Sequence, residues 1–210
     1  MFDLDGTLTN PNLGITRCIR HALEKLGEVS PPADDLLWTI GPPLKDSFEF
    51  LLNGSGLDPT EAIAIFRQRF STIGLLENNI YDGMNELLNE QLISGKHLFI
   101  ASTKPHVYIR PILDYFDISQ YFESVYGSEL DGTRSIKSDL LRYMFSELQF
   151  NPDETVMIGD RIQDIDGAKS VGITSIWVDY GYGDAAERKV AIPDHVCDTI
   201  EELQDLLNSI

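Results

Sequence analysis

Only two cysteines, Cys18 and Cys197, occur in the 210 residues. Two cannot build a disulfide scaffold, and such sparse usage suits a reducing compartment. Basic residues are also scarce. Sixteen Lys and Arg stand against 34 Asp and Glu, a formal net charge of -18. A surface this acidic repels nucleic acid and anionic membranes, so neither is expected as a partner. No apolar run is long enough to span a bilayer. Met1 runs straight into Phe2-Asp3-Leu4-Asp5, without the basic and apolar lead of a secretory signal. The expected location is cytoplasmic. Internal repeats and low-complexity segments are missing too. The acidic balance has a further consequence. Any site for an anionic ligand must supply positive charge locally, from a cation, a few Lys or Arg, or helix N-termini.

Apolar residues make up 42% of the chain, enough for a packed core. Residues 97–101, 122–126, 155–158 and 175–178 are short, mainly apolar or β-branched runs, the signature of buried parallel strands. Helical stripes lie between them: Met84, Leu87, Leu88 and Leu92; then Val107, Ile109, Ile112, Leu113 and Phe116; then Ile136, Leu140, Leu141, Met144, Phe145 and Leu148. Pro105 suits the first turn of the second helix. The alternation predicts an α/β fold with a parallel sheet.

Residues 10–81 break that rhythm and read as helices alone. Ile15, Cys18, Ile19, Ala22, Leu23 and Leu26 share one face, and Gly27 is a natural stop. Asp58-Pro59-Thr60-Glu61 reads as a cap, a first-turn proline and an N3 acid opening a helix over residues 62–73. The expected organisation is an α/β core of residues 1–9 and 82–210 interrupted by an all-helical insert of residues 10–81.

Polar residues recur just after the expected strands. Asp3 and Asp5 lie at the start, Ser102 and Thr103 follow 97–101, and Asp160 and Asp164 follow 155–158. In an open α/β sheet these positions converge on one crevice at the carboxyl ends of the strands. In Asp3-Leu4-Asp5-Gly6-Thr7, an extended backbone puts Asp3 and Asp5 on the same side. Two carboxylates so close separate in pKa unless a cation lies between them. Asp160 and Asp164 can hold a hard cation through oxygen, or simply cap a helix. Ser102 and Thr103 can bind phosphate oxygens or cap a helix. Lys137 alone reads as a solvated charge, although its place near a helix N-terminus suits a nearby anion.

Together these segments resemble the haloacid dehalogenase superfamily of phosphotransferases. Its four motifs match Asp3-Leu4-Asp5-Gly6-Thr7, Ser102, Lys137, and Gly159-Asp160 with Asp164 and Ala168. The insert falls where that family carries its C1-type helical cap. Tyr81-Asp82-Gly83-Met84 is similar to the family's return to the core, with Asp82 where proline is common. Gly41-Pro42-Pro43-Leu44 and the stretch 127–137 resemble the phosphoglycolate phosphatase-like group.

The resemblance implies a Rossmann-like core and Mg2+-dependent hydrolysis of a small phosphorylated metabolite. Asp3 would be the nucleophile and Asp5 the acid and base. Mg2+ would be held by Asp3, the Asp5 carbonyl and Asp160, with Asp164 orienting its waters. Ser102, Thr103 and Lys137 would hold the phosphoryl oxygens. The cap would close over the substrate and exclude water. Only Met1 and Phe2 precede Asp3, where the family usually has four or more apolar residues. The expectation is a chain truncated at its start or a very short central strand.

A β-phosphoglucomutase-like phosphomutase would use the same core residues. A dehalogenase that attacks carbon needs neither Asp5 nor the Asp160/Asp164 pair, and a non-catalytic protein would tend to lose the nucleophile or the metal ligands. Arg17, Lys45 and Arg134 are possible substrate contacts, each also readable as a surface charge. Trp38 and Trp177 read as core residues and not as recognition residues; the four histidines show no metal-ligand spacing and read as packing or surface residues. A monomer and a homodimer are both compatible with the sequence.

Overall fold

In the structure, a computed structural model describing residues 1–210, the strands are β1 (Thr9–Asn10), β2 (Asn79–Ile80), β3 (Phe99–Pro105), β4 (Ser124–Ser128), β5 (Val156–Gly159), β6 (Thr174–Val178) and β7 (His195–Cys197). The α-helices are α1 (Asn12–Lys25), α2 (Leu44–Leu51), α3 (Pro59–Phe70), α4 (Met84–Ile93), α5 (His106–Tyr115), α6 (Lys137–Leu148), α7 (Ile162–Val171), α8 (Ala185–Ala191) and α9 (Ile200–Ser209). The chain divides into two units: Met1–Asn10 with Ile80–Ile210, and Pro11–Asn79. No helix is long and apolar enough to cross a membrane.

In the larger unit β4 pairs with β3, β5 with β6, and β6 with β7, all in parallel. Phe2 joins the two groups, bridging to Ile100 in β3 and to Ile158 in β5. Phe2 N–H donates to Phe99 O at 2.8 Å, and Asp3 N–H donates to Ile158 O at 2.9 Å. Phe2 thus occupies the central position of the sheet, between β3 and β5. Alternation sends Met1, Phe99, Ala101 and Met157 to one face, against Leu140, Leu141 and Met144 of α6 and Ala168 of α7. Phe2, Ile100 and Ile158 turn the other way and are just as buried. Burial on both faces explains why these strands read as continuous apolar runs.

The strand boundaries shift from those expected. β3 begins at Phe99 and runs to Pro105, with a register shift after Ala101. Ser102, Thr103 and Lys104 are thus strand residues. Pro105 is the N-cap of α5, outside its first turn. Ile136 is the N-cap of α6 and is exposed, as are Val107 and Leu92, because each lies at the margin of its stripe. Trp177 is fully buried, but Trp38 is not a core residue. It is 38% exposed and stacks edge-on against Phe50.

The smaller unit is built on α1, α2 and α3 with two 3-10 segments, Ala33–Thr39 and Gly74–Leu76. The α1 face buries Ile15, Cys18, Ile19, Ala22 and Leu23, as its spacing predicts. Asp58 caps α3 by accepting from Thr60 N–H at 2.9 Å, worth about 1 kcal/mol. That helix ends at Phe70, three residues short of the expected limit. Gly14 is needed where α1 meets the Gly74 segment: a Cβ there would lie 2.1 Å from Gly74 O.

Candidate active site

The carboxyl ends of β3 and β5 and the segment that leaves the central position at Phe2 bring four carboxyl groups and two ammonium groups together. Asp3 leaves the central strand with its side chain buried, and its Oδ1 accepts from Lys137 Nζ at 2.8 Å. Lys137, the first residue of α6, also bonds Asp164 Oδ1 at 2.6 Å and Ala101 O at 2.6 Å. The ammonium has three donors, and all three are used. The anions that offset its position at a helix N-terminus are thus Asp3 and Asp164. Gly167 gives the lysine stem room, since a Cβ there would come within 2.6 Å of Lys137 Cγ.

Asp160 follows β5 and is fully buried. Its Oδ1 accepts from Thr7 Oγ1 at 3.3 Å, and its Oδ2 accepts from the Tyr182 backbone N–H at 2.7 Å. Gly6 has φ +86°, and a Cβ on it would stand 2.2 Å from Asp160 Oδ2. Glycine is required there both by conformation and by close approach. Asp164 sits in the first turn of α7, where its Oδ2 accepts from Arg161 N–H at 3.1 Å. It caps the helix and faces Lys137 at once. Ligand oxygens of Asp3, Asp160 and Asp164 all lie within 4.8 Å of one another.

The Asp5 side chain has a different partner. Its Oδ2 accepts from Lys104 Nζ, and both groups are buried, while its Oδ1 is buried without a hydrogen-bond partner. Ser102 is buried, and its Oγ accepts from Lys104 N–H at 3.4 Å. Thr103 is half-buried, and its carbonyl accepts from Ser128 Oγ at 2.7 Å.

Burial dominates the proton affinities. It raises Asp5, with help from the Asp3 charge and against the pull of Lys104. It raises Asp160 well above the usual carboxylate range, and the charges of Asp164 and Asp3 add to that. It pushes Asp164 up to about 6, with Lys137 opposing. For Lys137, burial pulls the pKa down, but Asp164 and Asp3 outweigh it and the net shift is upward.

The remaining candidates are engaged elsewhere. Arg17 pairs with Glu77 at 2.8 Å, and Lys45 lies exposed 3.6 Å from Glu49, both within the smaller unit. Arg134 pairs with Glu129 and lies 4.5 Å over the Tyr143 ring. Three participants were not picked out from sequence. Lys104 had a legible signal, because it stands two residues beyond Ser102 and so on the same side of a strand. Thr7 lies inside the first motif but had no role assigned. The Tyr182 contact is made by backbone and leaves no side-chain signature.

Residues 1–178 match the family described as haloacid dehalogenase-like hydrolase. A 5'-nucleotidase from Pseudomonas aeruginosa is 39% identical over 209 residues, spanning 100% of this chain and 95% of that protein. Tyrosine-protein kinase PtkA from Mycobacterium tuberculosis is 36% identical over 210 residues, spanning 99% of this chain and 71% of that protein. The crystal structure of a predicted phosphatase from Clostridium acetobutylicum aligns with a TM-score of 0.93 at 37% identity, covering 100% of this chain and 97% of that one. The chain belongs to the haloacid dehalogenase-like hydrolase family.

Proposed function

We propose that the chain is a magnesium-dependent phosphatase of small phosphate monoesters, working through an aspartyl-phosphate on Asp3, with the helical insert as its cap domain. The observation that carries this reading is the buried group of Asp3, Asp160 and Asp164 with Lys137 bonded into it. With Asp5 carrying the proton it donates, Asp3, Asp160 and Asp164 against Lys104 and Lys137 leave one negative charge, and a divalent cation would supply the positive charge that an anionic phosphoryl group needs. The donors are hard oxygens, as magnesium requires. Asp3, the Asp5 carbonyl and Asp160 would hold the ion, with Asp164 behind them. When bound, it offsets the charge on the phosphoryl oxygens.

Asp3 attacks phosphorus in line, and the bond to the leaving oxygen breaks. Asp5 gives that oxygen a proton, then takes one from the water that hydrolyses the intermediate. Lys137, Ser102 and the backbone N–H at Thr103 hold the phosphoryl oxygens as charge spreads over them. The likeness to a 5'-nucleotidase supports nucleoside 5'-monophosphates as the substrate class. The motif resemblance to the phosphoglycolate phosphatase-like group supports phosphoglycolate.

The test is phosphate release from a panel of both, with and without Mg2+, beside Asp3→Asn. Magnesium-dependent release that disappears in the variant is expected. Turnover retained in Asp3→Asn would remove it as the nucleophile. The likeness to PtkA gives a second reading, transfer of the phosphoryl group to an acceptor other than water. Label retained on an added acceptor, in place of free phosphate, would favour it.

A further inference from the structure

We propose that Lys104 is a positioning residue for this reaction: its ammonium holds the Asp5 carboxyl by Oδ2 and so presents Oδ1 to the leaving oxygen of the substrate. The inference rests on the reading of Asp5 as the acid and base. It starts from how the two lysines divide the carboxylates. Lys137 is bonded to Asp3 and Asp164, Asp160 is held by Thr7 and the Tyr182 backbone, and Lys104 is paired with Asp5. Asp3 and Asp164 share one clamp, while Asp5 and Asp160 are held by others. The clamp on Asp5 is asymmetric. A lysine ammonium only donates, so Oδ2 is fixed as an acceptor. Oδ1 is the buried atom left without a partner. A buried polar atom with nothing to bond is costly, and it becomes understandable if a reacting group completes it.

The strand fixes the clamp in turn. Ser102 and Lys104 lie on one side of β3, and both are buried. The Lys104 carbonyl is pressed against β4, where a Cβ on Gly127 would come within 2.6 Å of it. A backbone held this closely keeps the lysine stem from drifting. With Oδ1 presented, its proton passes to the bridging oxygen as the bond from that oxygen to phosphorus breaks. The electron pair of the broken bond stays with the oxygen, which leaves as an alcohol, while the bond from Asp3 to phosphorus forms.

Lys104→Met separates this role from simple binding of the phosphoryl group. The comparison uses kcat/KM, which reports steps up to release of the leaving group. Two esters are compared: p-nitrophenyl phosphate, whose phenolate leaves without a proton, and the more active of adenosine 5'-monophosphate and phosphoglycolate. The expected loss is about 10²-fold on the alkyl ester, the scale of a mispositioned general acid, and less than about tenfold on the aryl ester. Asp5→Asn should show the same preference, and adding Lys104→Met to it should cost the alkyl ester little more. Equal losses on both esters, or additive losses in the double variant, would overturn the role of Lys104. If Asp5→Asn itself shows no leaving-group preference, the acid–base reading of Asp5 fails, and the role of Lys104 falls with it. Should circular dichroism find Lys104→Met unfolded, Lys104→Ala also removes the donor and carries the same comparison. An unequal loss supports the proposal and an equal one overturns it.

Discussion

Replacing Lys137 by methionine keeps most of the stem and removes the ammonium. Asp3 and Asp164 then lose their cation while staying buried, and Ala101 O loses its donor. Breaking a buried ion pair by removing one partner costs about 3–5 kcal/mol, because the charge left behind is neither solvated nor paired. In a chain of this size each kcal/mol moves Tm by roughly 2–4 °C, so Tm should fall by roughly 6–20 °C at pH 8 with chelator present. Two internal checks follow. Added Mg2+ should recover part of the loss, since a divalent ion among Asp3, Asp160 and Asp164 replaces the missing charge. Lowering the pH to 5 should also shrink the deficit, because Asp164, pushed up to about 6 by burial, then carries its proton. Phosphate release should vanish under every condition. The assay is thermal unfolding by circular dichroism at the two pH values, with and without Mg2+. A Tm within about 2 °C of the parent at pH 8 without divalent ion would refute the reasoning, because the lysine would then not be holding the carboxylates in place.

An acid with a raised folded-state pKa keeps its proton in the folded chain at pH values where the unfolded chain has lost it. The stability Asp164 contributes is therefore lost as pH rises from about 3.8 to about 6, and Asp160 acts in the same direction. Metal binding needs the ionised forms, so the rise in Tm on adding Mg2+ should grow between pH 5 and pH 8; a constant rise would contradict this. Gly183→Ala would place a Cβ 2.1 Å from Asp160 O and 2.4 Å from the Trp177 ring, pushing the Tyr182 N–H away from Asp160. Calorimetric titration should find Mg2+ affinity weakened by about 10–100-fold, and unchanged affinity would remove this loop from the metal site. Gly14→Ala sets a Cβ 2.1 Å from Gly74 O, so denaturant unfolding should report a loss of about 1–3 kcal/mol; a neutral result would mean that this helix contact is looser than described.

Asp3 and Asp160 were legible because each follows a short apolar run, and position at a strand end is a property of the sequence. Asp164 was legible only as two alternatives, cap or site; in the structure it caps α7 and also pairs with Lys137, which is compatible with either. Lys137 was harder, since an isolated lysine in an acidic chain reads as solvated. It is buried where α7 approaches closely at Gly167 and where Asp3, Asp164 and Ala101 O meet its ammonium. Lys104 was missed because the apolar run ends at Ala101, whereas the strand continues through polar residues to Pro105. Its hydrogen bonds, and not its hydrophobicity, keep that segment extended. Trp38 was misread because an aromatic ring can cover another on a surface as well as in a core. The clasp of Tyr182 on Asp160 could not be read at all, since any residue supplies the same N–H.

The reach of these contacts along the chain has a consequence for how the protein forms. Lys104 is 99 residues from Asp5, Lys137 is 134 from Asp3, and Thr7 is 153 from Asp160. The segment 11–79 is continuous and makes its contacts locally. On a ribosome it can organise early, while the opening residues, which carry the proposed nucleophile, wait for β5 to emerge before the sheet can close around them. Until then Phe2 can pair with β3 on one side only. The catalytic centre is therefore among the last parts of the molecule to be assembled, and slow synthesis beyond residue 100 would lengthen the time that its apolar strand is open to other chains.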